Sequence, residues 1–564
     1  MVDAAMINGV LLVPLPMNNP KKSFCSIILR QISINKAISQ IYSFGWFAVF
    51  IFISLVVSGA ESPSWHKWLD ARNKGDALPF PDFSYAGYEA GEQTIPKPTG
   101  PVFQVTDYGA IPNSSKSAKA AIRKAIAAAS VNGGVVFFPK GQYIAHTTGD
   151  DNESITISRS DVVIKGEGAG PGGTVLRYDS PMTPVNTTSP LEAGAPLFRW
   201  QSALGDKKLT VLAADTRPGT FTIQVQDAST IRAGDLILLN LTSTAAVSTF
   251  MEGYNPEPTW THITKEGINF QERHQVLSVQ ANTVRLRECV YLPLKAAWNV
   301  TVERYGALTH CGVEDIHFVG NWHGSFVHHR SWMDDGGFTC LRLGRVVDSW
   351  VRRCRFTDFN SPIQMVQGLR DTVMEIAIEG NGGHNTCSIG NSTAIWAGLI
   401  EVKSPEWHGP GVNSGSIADV FWCVRWTEKT SAELHASQPW GTLYDDCVGG
   451  LLYAREGGAL QNLPNYLGKL LYWNFMQVGQ PIPNYSFWLT DKKWGREVKP
   501  LVIGWHGSPT TFKQDTCESV ESLGTPVIPD SLWAAQLALR LGKLPDWIAR
   551  AQAEWPIMLK SWGI

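Results

Sequence analysis

The sequence predicts an all-β solenoid in which short parallel strands repeat along one axis. Three stretches alternate apolar and polar residues, and each ends in an asparagine whose amide is expected to ladder between coils: 313–321, 350–360 and 373–381. Phe356 and Ile378 are 22 residues apart, a normal length for one coil, whereas Phe318 and Phe356 are 38 apart, one coil plus a loop of about 16 residues. Since a solenoid grows along its axis, 564 residues need no thicker core.

A capping helix is predicted ahead of the first coils. Residues 103–143 contain a short β-prone run, a polar turn, an alanine-rich segment and a second strand. Ser115 or Ser117 is placed to cap the alanine-rich segment, and Gly133-Gly134 to end it before the strand Val135–Phe138. Its apolar residues recur at helical spacing: Ala118, Ile122, Ile126 and Ala129.

This order of elements, from Phe103 to Tyr178, resembles the opening of the pectate-lyase-like superfamily, in particular its rhamnogalacturonase and epimerase type. Residues 161–168 and 174–176 also match the next coil of that pattern. The resemblance implies a right-handed parallel β-helix whose N-terminal mouth is plugged by a helix. Family members often carry an acidic segment before that helix, whereas this chain has Ile-Pro-Asn-Ser-Ser-Lys-Ser at 111–117, so no role of those acids is carried over.

The remaining chain divides by composition. Pro, Gly and aromatic residues without periodicity predict an extended arm, and strand-like alternation after the first coils predicts a small β-module inserted between coils. Pro529–Gly542 has a cap, apolar spacing and a terminal glycine, which predicts a helix that closes or flanks the C-terminal end. The predicted segments are 61–100 (arm), 101–196 (cap and first coils), 197–305 (β-module), 306–525 (main coils) and 526–564 (helical segment).

An apolar run at Phe44–Val57, followed by Ser58-Gly59-Ala60, predicts a signal peptide cleaved near residue 60. An uncleaved signal anchor is the alternative, because basic residues are scattered through a long segment ahead of the run; only in that case is a membrane partner expected. Secretion would suit N-x-S/T triplets of the glycosylation type: Asn113, Asn152, Asn186, Asn240, Asn299, Asn391 and Asn484.

Cysteine usage and charge narrow the class of protein further. Eight cysteines follow residue 60, an even number that permits disulfides in an oxidising compartment. The chain has no C-x-x-C pair, so a structural zinc site is not expected. The net charge of −2 argues against a nucleic-acid partner. We expect a monomer.

The loop at 321–336 is the first candidate site. Its histidines, arginine, carboxylates and tryptophans can supply a base, a charge partner and a platform for a sugar ring, although a solvated polar loop is the alternative. Asp334 and Asp335 are adjacent, so they share one site only if they lie on a turn. One or two coils later a second cluster follows Asn381, and a third patch surrounds His435. Since coils stack about 4.8 Å apart, equivalent positions of successive coils can form one groove.

These patterns give three sets of predicted roles. Catalytic roles are predicted for His323, His328, His329, Arg330, Asp334, Asp335, His384, Glu401, Lys403 and His408. Substrate-binding roles are predicted for Trp322, Trp332, Asn381, Trp407, His435 and Trp440. No residue is assigned as a metal ligand. The carboxylate of a uronic-acid substrate can be neutralised either by Ca²⁺ or by cationic and amide side chains, so the cofactor is Ca²⁺ or none.

The superfamily resemblance implies a polysaccharide lyase, an inverting glycoside hydrolase or an epimerase. The His, Arg and Asn content of the clusters favours a secreted lyase on an acidic polysaccharide, which needs a base for the C5 proton and a partner for the carboxylate. A hydrolase needs two carboxylates about 6.5–9.5 Å apart, for which Asp334 or Asp335 with Glu401 are the candidates. A non-catalytic carbohydrate-binding or cell-wall solenoid is the third possibility, in which imidazoles and carboxylates would lie on separate faces.

Overall fold

The computed structural model describes residues 59–564, so the predicted signal or anchor segment at 44–57 lies outside the described residues. Within the described part of the chain, no helix combines the length and the apolar character that crossing a membrane requires. The α-helices are Pro63–Lys74, Lys119–Ala129, Val247–Phe250, Trp332–Gly336, Leu532–Leu541 and Asp546–Trp562.

The fold is a right-handed parallel β-helix, as predicted. The largest sheet has 18 parallel strands and covers two adjoining sides of the coils, since a long strand such as Trp350–Thr357 pairs with both Gly312–Glu314 and His317–Val319. Its strands are Val102–Gln104, Gly134–Phe138, Gly141–His146, Val162–Gly166, Thr174–Tyr178, Gly312–Glu314, His317–Val319, Trp350–Thr357, Thr372–Glu379, Trp396–Val402, Val420–Arg425, Leu443–Asp445, Val448–Gly449, Leu471–Trp473, Met476–Gln477, Leu501–Ile503, His506–Gly507 and Ser519–Glu521.

Two further ladders complete the coils. A separate seven-stranded sheet forms another side of the coils. Its strands are Ile155–Ile157, Phe198–Trp200, Thr339–Gly344, Ser361–Val366, Cys387–Gly390, Gly411–Asn413 and Glu433–Leu434. The third ladder pairs Leu308–Thr309 with Val346–Val347 and continues through single bridges as far as Trp440. Near the C-terminal end, Ile482–Tyr485 pairs with Thr510–Phe512.

The predicted register of the coils is confirmed. Phe318 lies beside Phe356, and Phe356 lies beside Ile378, in adjacent parallel strands. The rings of Phe318 and Phe356 stack with centroids 5.1 Å apart, because equivalent inward positions superpose along the axis. The predicted asparagine ladder is wrong: Asn360 donates to the Asp334 carbonyl (2.9 Å), and Asn381 donates to the Trp322 carbonyl (3.1 Å) and to a neighbouring carboxylate. Loops between the coils bring these other acceptors nearer than the next asparagine.

The predicted capping helix is Lys119–Ala129. It buries Ile122 and Ile126 against the first coils, in the same apolar core as Val136 and Phe138. The N-cap residue is Ala118, which provides no side-chain cap, so the predicted serine cap is wrong. The Ser117 hydroxyl, one residue earlier, accepts the backbone N–H of Lys119 (3.2 Å).

The inserted module is an antiparallel six-stranded sheet between the strand Phe198–Trp200 and the third ladder. Its strands are Lys207–Val211, Thr222–Gln224, Leu236–Ser243, Ile268–Gln280, Thr283–Leu286 and Thr301–Arg304. A buried ionic network fixes it to the coils: Arg370 of the solenoid binds Glu288 of the module and Asp348 of the preceding coil, and Arg287 binds Glu89 of the arm (2.7 Å).

The arm at 61–100 runs along the solenoid, but it is not extended throughout. Pro63–Lys74 is helical, because Ser62 caps its first turn and Gly75 ends it in the left-handed conformation (φ 68°). The Ser64 hydroxyl donates to Glu521 of the last strand of the large sheet (2.5 Å), whereas the Tyr88 N–H donates to Thr372 several coils earlier (2.8 Å).

The C-terminal helices flank the solenoid and do not close its end. Trp533 of Leu532–Leu541 packs on Trp396 and Trp422, on the outer face of the large sheet, with ring centroids 5.0 and 5.3 Å away. The second helix, Asp546–Trp562, continues toward earlier coils, where the Trp562 carbonyl accepts from Arg355 (3.1 Å).

No disulfide joins any two of the eight described cysteines, so the prediction of disulfides among them is wrong. The thiols are buried at positions beside unlike residues of the neighbouring coils. Cys354 pairs in register with Ile376, and Cys387 with Ile363, so stacking does not superpose two thiols there.

Candidate functional site

Four histidines meet at the edge of the seven-stranded sheet. His384 and His408 occupy equivalent turns of successive coils, and the His408 N–H donates to the His384 carbonyl (2.9 Å). His435 follows the strand of the next coil, and the loop at 321–331 brings His328 onto the column. Neighbouring rings lie 5.1–5.4 Å apart: His384–His408 5.1, His408–His435 5.2, His328–His408 5.3 and His328–His384 5.4 Å between centroids.

Hydrogen bonds and an ion pair orient three of these rings through their Nδ1 atoms. His384 Nδ1 lies 2.7 Å from the backbone carbonyl of Asp335. The Glu433 carboxylate binds Nδ1 of both His408 and His435, the latter at 2.7 Å, and it also accepts the Gly457 N–H (2.9 Å). Glu433 is therefore the anchor of two of the four imidazoles.

The environment holds the pKa values of this cluster far from their ordinary ranges. Burial, together with the neighbouring His408, lowers the pKa of His328 to about 3, and burial lowers the pKa of His384 well below its usual value. For Glu433, burial acts to raise the pKa, but the imidazoles of His408 and His435 outweigh it and lower the pKa below its usual range. Burial acts to lower the pKa of His435 as well, but the Glu433 carboxylate outweighs it and raises that pKa above its usual value. The cluster thus combines the neutral imidazoles of His328 and His384 with a carboxylate that stays ionised.

A solvent-open cavity of about 400 Å³ lies beside the histidine column. Its lining includes Phe326, Asn381, Trp407 and Arg455. The Arg455 guanidinium lies 3.5 Å from the centre of the Trp407 ring, and Arg455 Nε donates to the Trp407 carbonyl (3.1 Å). The His328 ring stacks on Trp407 with centroids 4.7 Å apart, so the cavity wall and the histidine column share one aromatic residue.

The Asp334 and Asp335 carboxylates stabilise the conformation of the loop at 321–336. Asp334 and Asp335 lie on one turn, the short helix Trp332–Gly336, which is the condition for sharing a site. Asp334 nevertheless binds Arg330 and the Ser331 hydroxyl, and Asp335 binds the His329 ring. These ion pairs fold the loop over the histidine column.

The other predicted site residues contact parts of the protein other than the four histidines. Glu401 lies on the large sheet beside Arg425, and Lys403 directly follows that strand, Trp396–Val402. Trp440 belongs to the third ladder. Trp322 is buried and donates to the Gly382 carbonyl (2.8 Å), Trp332 is half-buried, and the exposed His323 contacts Asn321 (2.5 Å). No hydrogen bond or ion pair recorded in residues 59–564 joins any of these side chains to the four histidines.

Two prominent residues of the site, Glu433 and Arg455, were not among the sequence predictions. Glu433 and His435 are two apart, at a strand and its end, a spacing that places side chains on one face. That E-x-H pattern was the available signal. Arg455 has no local signal, because it reaches Trp407 across two coils.

Comparison with known families agrees with this architecture. Residues 102–197 match the family described as "Rhamnogalacturonase A/epimerase, pectate lyase-like". The first coils are therefore pectate-lyase-like in sequence. Residues 405–551 match a second family, a domain of unknown function (DUF4955), and this match includes Trp407, His408, Glu433, His435 and Arg455. No curated protein has a matching sequence.

Several solved structures are similar at low identity. The tailspike protein gp49 of Pseudomonas phage LKA1 is 13% identical over 75% of this chain and 76% of its own, with a TM-score of 0.41. The A-module of the mannuronan C-5 epimerase AlgE4 of Azotobacter vinelandii is 10% identical over 75% and 96% (TM-score 0.27), and an exopolygalacturonase of Thermotoga maritima is 9% identical over 81% and 96% (TM-score 0.31). Scores this low carry no information about activity.

Proposed function

We propose that this protein is a carbohydrate-active enzyme, a lyase that cleaves a uronic-acid-containing polysaccharide by β-elimination. One observation carries the proposal: the Trp407–Arg455 pair lines an open cavity directly beside a column of imidazoles. The family description of residues 102–197 supports a carbohydrate substrate. The binding-protein alternative predicted imidazoles and carboxylates on separate faces, whereas Glu433 lies between His408 and His435.

The residues divide the chemistry as follows. The Trp407 indole offers a flat apolar face to a sugar ring, and the planar Arg455 guanidinium suits the substrate carboxylate, where negative charge grows as the C5 proton leaves. His435, oriented through Nδ1 by Glu433, is the proposed base at C5. The C5–H electron pair forms the C4–C5 double bond, the C4–O bond breaks, and the departing oxygen takes up a proton.

The test is an assay of the full chain on a panel of uronic-acid polysaccharides, with Ca²⁺ or with a chelator. Ultraviolet absorbance reports the unsaturated product of a lyase, and a parallel reducing-sugar assay reports any chain cleavage. Reducing ends without new absorbance would identify a hydrolase. The absence of both signals would contradict the proposal of an enzyme that acts on these substrates.

Matched variants locate the activity. R455A should lower kcat/KM by about 10²–10³, because it removes a cation placed where charge develops. R232A is the control, since Arg232 lies in the inserted module and contacts backbone carbonyls there. Equal activities of R455A and R232A would exclude the cavity as the site.

A further inference from the structure

Three buried imidazole nitrogens face one another in the histidine column. One ring nitrogen each from His328, His384 and His408 lies within 4.8 Å of the other two. Nε2 of each of these histidines is buried and has no hydrogen-bond partner in the described part of the chain. Buried polar atoms are normally paired, because an unpaired one loses its hydrogen bonds to water without replacement. Three such atoms at one point indicate a ligand that satisfies all of them together.

The contacts of the opposite ring nitrogens identify what kind of ligand this is. His384 Nδ1 faces a backbone carbonyl, which accepts only, so Nδ1 carries the proton and Nε2 presents a lone pair. His408 Nδ1 faces the Glu433 carboxylate, which favours the same tautomer. A carbonyl or carboxylate behind the imidazole is the usual support of a metal-binding histidine. Hydrogen-bond acceptors converge here, so the ligand is a cation.

We infer that His328, His384 and His408 bind a transition-metal ion of the Zn²⁺ type. Neutral imidazole suits Zn²⁺, Co²⁺ and Cu²⁺, whereas Ca²⁺ prefers oxygen donors, so the Ca²⁺ considered from the sequence does not fit these three ligands. Bonds of about 2.0–2.1 Å to a tetrahedral ion need nitrogen spacings of about 3.4 Å. The present spacings do not exceed 4.8 Å, so each pair would close by about 1.4 Å or less. Three protein ligands leave a coordination position for water or a substrate oxygen.

The metal site adjoins the proposed lyase site through Glu433 and Trp407, but the two proposals are tested separately. Its ligands come from two successive coils and from the loop that Asp334 and Asp335 fold, whereas the substrate contacts were assigned to Trp407, Arg455 and His435. Metal binding is therefore measured without substrate, and its failure leaves the activity assay unaffected.

The experiment uses the full chain purified without a histidine tag, stripped with a chelator and titrated with Zn²⁺ against a competing indicator. We expect one Zn²⁺ per chain, and visible d–d absorption of tetrahedral Co²⁺ when Co²⁺ replaces it. H384A and H408A should lose stoichiometric binding, and E433Q should weaken it about 10–100-fold, because Glu433 supports a ligand without being one. H323A, an exposed histidine of the same loop, should bind as the parent does.

Misfolding is separated from ligand loss by comparing the urea midpoint of each stripped variant with that of the stripped parent. H328Q, whose ring is half-buried in the loop, is the substitute where a variant of the coil histidines fails to fold. Binding of Zn²⁺ by folded H384A, H408A or H328Q as tightly as by the parent would overturn the inference. Absence of stoichiometric binding by the parent would do the same.

Discussion

Replacing Arg370 with methionine tests the ionic network that joins the inserted module to the coils. The Arg370 side chain is 0% exposed and binds Asp348, 7% exposed, and Glu288, 0% exposed. Methionine keeps much of the volume but no charge, so R370M leaves two carboxylates without their cation in a site sealed from water. Removing one partner of a buried ion pair costs about 3–5 kcal/mol. Because two carboxylates lose the same cation, we expect the upper part of that range as a fall in the free energy of unfolding.

Urea titration followed by tryptophan fluorescence measures this change. R177M is the matched control: Arg177 pairs with Asp179 at 3.0 Å but is 43% exposed, so the same substitution should cost less than about 1 kcal/mol. The double variant R370M/E288Q should recover part of the loss, because it removes one uncompensated charge. The reasoning is refuted if R370M is no less stable than R177M.

Three further changes test other features. The His310 and Arg287 hydrogen bonds hold the pKa of Glu89 at about 2, so Glu89 stabilises the fold above about pH 5 and loses this contribution as the pH falls toward 2. In urea titrations at a series of pH values, E89Q should reduce the fall in the free energy of unfolding between about pH 5 and pH 2 by roughly 2 kcal/mol. An unchanged fall would contradict the assignment. W407A should raise KM for the proposed substrate about tenfold with a smaller change in kcat, since it removes a stacking surface, and initial rates that show the reverse would place Trp407 in the chemical step. Reducing agent should leave the unfolding midpoint of the protein unchanged, because the described cysteines form no disulfide; a lowered midpoint would disprove this.

Stacking made the coil register predictable from the sequence. Phe318, Phe356 and Ile378 are inward positions of adjacent coils, and their spacings correspond to one coil plus a loop and to one coil. The ionic network could not be predicted in the same way, because Arg370 and Glu288 are 82 residues apart and lie in turns of the solenoid and of the inserted module. The arm helix Pro63–Lys74 had its signals, a serine, a proline and a terminal glycine, but the surrounding prolines and aromatic residues obscured them.

The candidate site was predictable as far as it follows the coil period. His384 and His408 are 24 residues apart, about one coil, so their neighbourhood follows from the repeat. His328 reaches them only because its loop folds back through the ion pairs of Asp334 and Asp335, a conformation without sequence periodicity. The roles predicted for Glu401 and Lys403 stay predictions.

The start of the arm is bound at the C-terminal end of the solenoid, and the end of the C-terminal helix is bound at an earlier coil. The Ser62 N–H donates to the Ile528 carbonyl (3.0 Å) after the last coil, while the Trp562 carbonyl is held by Arg355, well back toward the first coils. A simple solenoid can lose its terminal repeats one at a time, because each repeat contacts only its neighbours. Here a pull applied between Ser62 and Trp562 loads the whole stack in shear, so its mechanical failure should be a single event at high force.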